Sequence, residues 1–422
     1  MKTRYIVLVF LVLLSVITFL DRLCIAVAGP RMQEDLSITP EQWGWVLGAF
    51  VLAYGLFEIP TGSLGDRLGQ RRVVTRIVVW WSAFTVLTGS VTGLYPLLAV
   101  RFLFGAGEAG AYPNIAGSIA RWFPAGERAR TQGFIWAAGR AGGAIAPLLV
   151  VPIQTRFSWR AAFWIFGLVG LVWSALWWWW YRDRPTQRPG VSQEEIAEIG
   201  AHQESTGHAG VPWRALLLNR QFWYILLMYG CYAWGSWFFF SWLHTYLIKG
   251  RGFREGEMSF FSALPFTLGV VSNIAGGFLS DVFSRRYGLR AGRRLLGSAS
   301  LATAAVLLIA TAVTQEKTVA AVLLALGFGV MDLMLPSAWA ICLDVGSQHA
   351  GAITGAMNTA GQLGGFACTV VFGYLVGRTG NYELPLFVIA AMLAVSAALF
   401  SRIDPTRPLV PDNQVSAAAH WA

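Results

Sequence analysis

Charge is scarce in this sequence. Only 13 % of its 422 residues are Asp, Glu, Lys or Arg, whereas a soluble domain carries about 25 %. Hydrophobic residues make up 55 % and come in long runs, which excludes a disordered, fibrous or ordinary water-soluble protein. The four cysteines are too scattered for a disulfide framework or a metal site, and the sequence has no nucleotide-binding loop or nucleophile motif. We therefore expect neither an enzyme nor a bound cofactor.

The apolar runs predict an all-α membrane protein. A membrane-spanning helix needs about 20 predominantly apolar residues. Asp21-Arg22 and the length of the first run argue for a retained span rather than a cleaved signal peptide. Twelve spans can be placed, near residues 5–27, 43–64, 73–94, 95–120, 131–153, 161–181, 221–248, 259–280, 295–313, 319–343, 352–376 and 385–403.

The positions of the basic residues predict that both termini are cytoplasmic. In that orientation 20 of the 32 Lys and Arg residues lie in cytoplasmic segments and 8 in the opposite loops. Cytoplasmic loops of membrane proteins carry an excess of Lys and Arg. The same asymmetry explains the net charge of +10 without a nucleic-acid partner. The bilayer is the partner that the composition indicates.

One pattern occurs in both halves of the chain. Residues 62–66 (GSLGD) precede an Arg-Arg pair, and residues 277–281 (GFLSD) precede another. Parallel repeats of six helices are a transporter architecture. We therefore predict four parts. They are an N-terminal bundle (residues 1–181), a cytoplasmic linker (182–220), a C-terminal bundle (221–403) and a cytoplasmic tail (404–422).

Charged residues inside the predicted spans are candidates for function, because a charge at the bilayer centre costs at least about 2.5–3.5 kcal/mol. Asp21 and Arg101 lie at similar predicted depths, about 9 Å inside the outer ends of their spans, so they can pair across helices. Glu108 lies two turns beyond Arg101 on the same face, with no adjacent base in the sequence. A carboxyl between apolar and guanidinium groups can exchange protons near neutral pH. Glu108, and then Asp21, are the predicted proton carriers; the alternative is a static ion pair.

Several stretches resemble a known transporter family. Residues 62–72 (GSLGDRLGQRR) resemble the loop 2–3 signature of the major facilitator superfamily. Asp21-Arg22, residues 101–113 (RFLFGAGEAGAYP) and residues 121–128 (RWFPAGER) are similar to its anion:cation symporter branch, which includes hexuronate, aldonate, glucarate and phthalate permeases and the animal sialic acid, glutamate and phosphate carriers.

The resemblance covers essentially the whole chain. It implies two pseudo-symmetric bundles of six helices each. It also implies proton coupling at Glu108 and Asp21, and anion binding or coupling at Arg22 and Arg101.

Further candidates follow from side-chain chemistry. A third buried guanidinium, Arg140, indicates either a second acidic group on the substrate or a partner for Glu58 or Asp332. His244 is either a pH-sensitive gate or a solvated residue at a helix end. Uncharged candidates for the cavity wall are Tyr54, Ser337, Trp339, Asn358 and Gln362. Five charged residues are predicted at the cytoplasmic ends of helices, where they can cap the helix termini and stabilise the outward-facing conformation. They are Asp66, Arg67, Arg71, Arg72 and Asp281.

Together these features predict a proton-driven symporter that imports a small organic anion, such as a hexuronate, aldonate or aldarate, by alternating access. We expect it to act as a monomer in a bacterial inner membrane, with the proton as its co-substrate. One alternative is a proton-coupled antiporter or exporter, although residues 142–147 (GGAIAP) match the antiporter motif only in part. The other is a membrane sensor that kept the fold, which would not need to retain Glu108.

Overall fold

The computed structural model describes residues 2–199, 212–346 and 349–409, and regular structure in this part is helical, without a strand. Part of the predicted linker and most of the predicted tail lie outside the described residues. A π-helical turn follows α11 at Tyr246–Gly250. The helices are α1 Arg4–Asp35, α2 Pro40–Leu68, α3 Gln70–Thr88, α4 Leu94–Glu108, α5 Ala111–Trp122, α6 Ala125–Arg156, α7 Trp159–Trp180, α8 Gln193–Ile199, α9 Trp213–Leu218, α10 Arg220–Ser241, α11 Leu243–Thr245, α12 Glu255–Tyr287, α13 Leu289–Val313, α14 Lys317–Asp332, α15 Leu335–Gly346, α16 Ala350–Thr379 and α17 Leu384–Phe400.

The helical class is confirmed, while the number of spans stays a prediction. Among the described residues, seven helical segments are long and apolar enough to cross a membrane, judged by length and composition alone. One of them combines α14 and α15 over Lys317–Gly346. The single predicted span at 95–120 is instead two short helices, α4 and α5.

The chain forms two compact units. The first consists of Met1–Gln203, Phe240–Thr267 and Thr369–Gly380, and the second of Glu204–Phe239, Leu268–Cys368 and Asn381–Ala422. In the first unit α1 packs on α6, α2 on α4 and α3 on α7. In the second unit α13 packs on both α14 and α17. The predicted domain boundaries stay a prediction.

Two helix starts have clear local causes. Thr39 Oγ1 accepts a hydrogen bond from Gln42 N, the Gln42 side chain accepts one from Thr39 N, and Pro40 occupies the first turn of α2. At α14 the Glu316 carboxylate accepts backbone hydrogen bonds from Thr318 and Val319, which holds the pKa of Glu316 below its usual range. Both starts satisfy backbone N–H groups that have no partner within the helix.

The break between α4 and α5 requires glycine. Gly110 has φ +86°, and a Cβ there would lie 2.4 Å from Thr61 Oγ1. Thr61 Oγ1 donates to Ala109 O at 2.7 Å, and Asn114 Nδ2 donates to Gly110 O at 2.7 Å. These bonds satisfy carbonyls that the break leaves exposed, and they make Glu108 the last residue of α4.

The start of the linker is attached to the start of α1. The buried Glu195 carboxylate of α8 accepts backbone hydrogen bonds from Thr3 at 3.0 Å and Arg4 at 2.8 Å. A carboxylate at a helix N-terminus is favourable because it faces the positive end of the helix dipole. Glu198 pairs with Lys2 and Arg4, and hydrogen bonds from these two side chains lower its pKa.

Candidate functional site

Four charged side chains gather in the first unit, two from α1 and two from α4. Arg22 Nε donates to Glu108 Oε1 at 2.8 Å, and the Glu108 side chain is buried. The sequence suggested a pair between Asp21 and Arg101, with no base next to Glu108. In the structure the direct ion pair is Arg22–Glu108, which joins residues 86 positions apart.

Asp21 and Arg101 are also buried, and their polar atoms are not fully used. The Trp81 indole interacts with the Asp21 carboxyl without a well-formed hydrogen bond, and Arg101 Nε and Glu108 Oε2 have no hydrogen-bond partner within the described residues. The charges of Glu108 and then Arg101 act on Asp21 without a direct hydrogen bond. Unsatisfied buried polar atoms are costly, so this group of four has capacity to bind a proton or an anion.

Aromatic rings surround the two guanidinium groups. Arg22 Cζ lies 4.7 Å from the ring centroid of Tyr54 and 5.3 Å from that of Phe50. Arg101 Cζ lies 4.9 Å from the same Phe50 ring and 4.7 Å from Phe104. Cation–π contacts stabilise a desolvated guanidinium without consuming its N–H donors. Tyr54, which the sequence singled out as a hydroxyl donor, therefore contributes its ring face to Arg22.

A second polar group lies on the next turn beyond Glu108. Tyr112 Oη and Ser15 Oγ are 3.1 Å apart, and the Tyr112 ring stacks on Trp136 with centroids separated by 4.8 Å. Arg140 is buried, with its Cζ 5.4 Å from the Phe240 ring centroid. Sequence reasoning did not select Ser15 or Trp136. Ser15 is a polar and Trp136 an amphipathic side chain within an apolar span, and this feature of the sequence could have identified them as candidates.

The candidates from the C-terminal half lie in the second unit. Ser337 is buried, and its Oγ donates to Ser280 Oγ at 3.0 Å, so it joins α15 to α12. Trp339 is half-buried and meets Tyr229 edge to face. Asn358 and Gln362 are half-buried on α16, and Gln362 Oε1 has no hydrogen-bond partner among the described residues. Their contact with substrate stays a prediction.

Asp332 is the charged residue that the sequence left without an account. It is fully buried at the end of α14. Its Oδ1 accepts from Tyr232 Oη at 2.8 Å, and its Oδ2 accepts from Asn273 Nδ2 at 3.0 Å. Sequence reasoning also missed Asn273, although an amide inside an apolar span is a visible signal.

Of the predicted gating residues, Arg71 has well-defined partners. Its Nε donates to Trp178 O at 2.9 Å near the end of α7, and its backbone N donates to Asp183 Oδ1 at 2.9 Å. Arg67, Arg72 and Asp281 are exposed, and the side chain of Asp66 lies outside the described residues. Arg71 thus makes a helix-capping contact at the end of α7, and the gating roles of all five residues stay a prediction.

His244 is buried rather than solvated. It lies in the three-residue α11, and neither ring nitrogen has a hydrogen-bond partner within the described residues. The interpretation as a solvated residue at a helix end is therefore wrong. His244 lies just before the π-helical turn at Tyr246–Gly250, but no backbone group of that turn forms a hydrogen bond with its imidazole.

The sequence matches the family model described as Major Facilitator Superfamily over residues 11–369. The chain belongs to this superfamily. A protein of Cupriavidus necator named "Probable sulfoacetate transporter" is 34 % identical over 99 % of this chain and 98 % of its own length. The "Hexuronate transporter" of Bacillus subtilis is 30 % identical over 97 % of this chain and 96 % of its own.

A solved structure shares the fold. The crystal structure of a bacterial homologue of the human lysosomal transporter Spinster covers 96 % of this chain and 97 % of its own, with a TM-score of 0.77 and 20 % identity. Superfamily membership confirms the predicted family and fold class. The chain is an integral membrane protein of a transporter family, and its named relatives are transporters rather than enzymes.

Proposed function

We propose that this protein is a proton-coupled symporter that imports a small organic anion. The observation that carries the proposal is the buried Arg22–Glu108 ion pair next to Asp21 and Arg101, whose polar atoms are only partly used. Relatives named as a probable sulfoacetate transporter and a hexuronate transporter support the anion class. Sugar acids and small sulfonated acids are the substrates to test first.

The geometry supports a simple form of coupling. In the ionised state Glu108 holds Arg22, so that guanidinium has limited capacity for an anion. A proton on Glu108 removes the charge that holds Arg22, and a substrate carboxylate or sulfonate then takes the place of Glu108. A guanidinium binds such groups through two parallel N–H donors. Binding of the proton and binding of the anion are therefore coupled.

We place this exchange within an alternating-access cycle in a bacterial inner membrane, with a single chain as the working unit. The loaded site opens to the cytoplasm, the anion leaves, and the protons follow toward the more alkaline side. The two bundles of the superfamily architecture rock around such a site.

Reconstituted vesicles test the proposal. Purified protein is placed in liposomes that contain a pH dye, and a panel of sugar acids, sulfoacetate, dicarboxylates and aromatic acids is added without an imposed gradient. We expect lumen acidification by one anion class for the wild type. Glu108→Gln should abolish proton-driven accumulation, because its amide cannot carry the proton, but should retain anion exchange.

The controls separate the alternatives. Concentrative uptake by Glu108→Gln equal to the wild type would contradict the assignment of the proton carrier. Alkalinisation of the lumen on addition of a substrate would favour the antiporter. Specific anion binding without uptake would favour the sensor.

A further inference from the structure

Two helices that pack against each other, α3 and α7, each carry an exposed apolar stripe. The exposed residues recur at spacings of three and four, which places them on one face of each helix. In a membrane protein such a face contacts the acyl chains of lipids. The stripes consist of Trp80, Ala83 and Leu87 on α3 and of Leu168, Val172, Leu176 and Trp179 on α7.

Arginines extend both stripes at one end. On α3, the exposed Arg72 and Arg76 precede Trp80 by eight and four residues, so they continue the same face. At the end of α7, the half-buried Arg182 follows closely after the stripe. The charges of Arg182 and Arg72 both act on Arg71, so these guanidinium groups lie close together. Like charges at this spacing repel one another, and an anion among them would be stabilised.

Arg71 joins the two helices at this end. Its Nε donates to Trp178 O at 2.9 Å, and its Cζ lies 4.2 Å from the Trp178 ring centroid. The acidic neighbour, Asp183, already has partners, because its Oδ1 accepts from the backbone N of Arg71 at 2.9 Å and lies 3.8 Å from Arg121 Nη1. In the described part of the chain, no ion pair joins Arg72 to an acidic residue, and the same holds for Arg76.

Arginines at other helix starts are neutralised within the protein. The start of α13 follows the second loop motif as the start of α3 follows the first, and its arginines pair with carboxylates. The recorded pairs are Arg4–Glu127, Arg4–Glu198, Arg290–Asp404 and Arg293–Asp344. The arginine end of α3 and α7 therefore differs from these starts in its excess of positive charge.

We propose that the arginine end of α3 and α7 binds the headgroup of an anionic phospholipid, whose acyl chains lie along the two apolar stripes. Arg72, Arg76 and Arg182 donate hydrogen bonds to its phosphate oxygens, since a guanidinium matches the geometry of a phosphate. The indole of Trp179 lies between the charged and the apolar part, as amphipathic rings do at membrane interfaces. The lipid belongs to the leaflet at this end, which the sequence predicts to be cytoplasmic. The inference concerns the lipid and not the transported anion, so it does not depend on symport.

Lipid titration tests the inference. The purified full chain in detergent is titrated with dioleoyl phosphatidylglycerol or dioleoyl phosphatidylcholine, and bound lipid is counted by native mass spectrometry. We expect the wild type to bind phosphatidylglycerol more tightly. The double variant with Arg72→Gln and Arg76→Gln should lose about tenfold or more of this affinity, because each arginine near a lipid surface contributes roughly fivefold. Equal phosphatidylglycerol affinities of the two proteins would overturn the inference.

Two controls identify what is bound. The double variant with Arg285→Gln and Arg286→Gln removes the exposed Arg-Arg pair after the second loop motif, so it changes the net charge equally and should retain the affinity. A loss as large as that at Arg72 and Arg76 would indicate a general effect of charge and contradict a site. Glycerol 3-phosphate, which lacks acyl chains, should compete only weakly. Displacement of the lipid by equimolar glycerol 3-phosphate would reject the part assigned to the stripes.

Fluorescence quenching tests the position without changing an arginine. Brominated acyl chains quench nearby indoles, so the wild type in phosphatidylcholine vesicles should be quenched more by a small fraction of brominated phosphatidylglycerol than by the same fraction of brominated phosphatidylcholine. Trp179→Phe should reduce this excess. Trp164→Phe, which removes an exposed indole near the other end of α7, should preserve it. Equal quenching by the two brominated lipids, or an excess that Trp179→Phe leaves unchanged, would contradict the inference.

Discussion

The carboxyls of Glu108 and Asp332 are each at the last residue of a helix, α4 and α14, but have different partners. Glu108 is bound by a guanidinium, whereas Asp332 accepts hydrogen bonds from a phenol hydroxyl and an amide. An ion pair can exchange its anionic member for a substrate anion, whereas the hydrogen bonds from Tyr232 and Asn273 attach the Asp332 carboxyl to α10 and α12. We therefore expect anion affinity to depend more on the charged group of the first unit than on the hydrogen bonds at Asp332.

The largest effect should come from Arg101. We expect Arg101→Ala to weaken anion binding by roughly tenfold to a hundredfold, since hydrogen bonds to charged groups contribute about 1.5–3 kcal/mol. Asn273→Ala in the second unit, which removes a hydrogen bond to Asp332, should change affinity less than about threefold. Isothermal titration calorimetry on detergent-purified protein measures both affinities.

A charge-matched control completes this test. Arg156→Ala removes an exposed arginine of the first unit and should leave affinity unchanged. Equal losses of affinity in Arg101→Ala and Asn273→Ala would contradict the expected difference between the two units.

A smaller effect is expected at two glycines, Gly110 in the break between α4 and α5 and Gly277 within α12. Gly110→Ala should lower stability by about 1–3 kcal/mol, because φ is +86° and the new Cβ meets Thr61. Gly277→Ala, on the helix facing Pro336, has room for its Cβ and should be neutral or slightly stabilising. Thermal unfolding in detergent measures both, and similar melting temperatures of the two variants would show that the first break does not depend on glycine.

The smallest effect concerns pH and the attachment of α8. The pKa of Glu198 is lowered in the folded state, so its contribution to stability is present above its unfolded value of about 4.3 and is lost as the pH falls through the folded value. The protection of the α8 amides against hydrogen exchange, corrected for the intrinsic exchange rate at each pH, should therefore fall at acidic pH, and Glu198→Gln should exchange faster than the wild type already at pH 7. The exposed Glu194 supplies the control, because Glu194→Gln should exchange like the wild type. Faster exchange in that control would indicate a general effect of charge.

Sequence reasoning predicted the helical class and named all four members of the charged group, because ionisable residues inside apolar runs are rare. It did not predict that Arg22 rather than Arg101 binds Glu108. The helical period places a residue on a face, but which faces meet depends on how α1 packs beside α4. The break at Gly110 was missed for a related reason, since the apolar run continues through it and only the glycine and Pro113 mark the turn.

The stack of Tyr112 on Trp136 gives the protein an internal optical reporter. Trp136 is 38 % exposed, and its ring partner is hydrogen-bonded to Ser15 one turn beyond Glu108. A ligand that displaces Tyr112 changes the polarity and stacking that the indole experiences, and hence its emission. The other 19 tryptophans among the 20 in the chain would mask this signal, so substituting those on the surface by phenylalanine would let occupancy be read by fluorescence without any added dye.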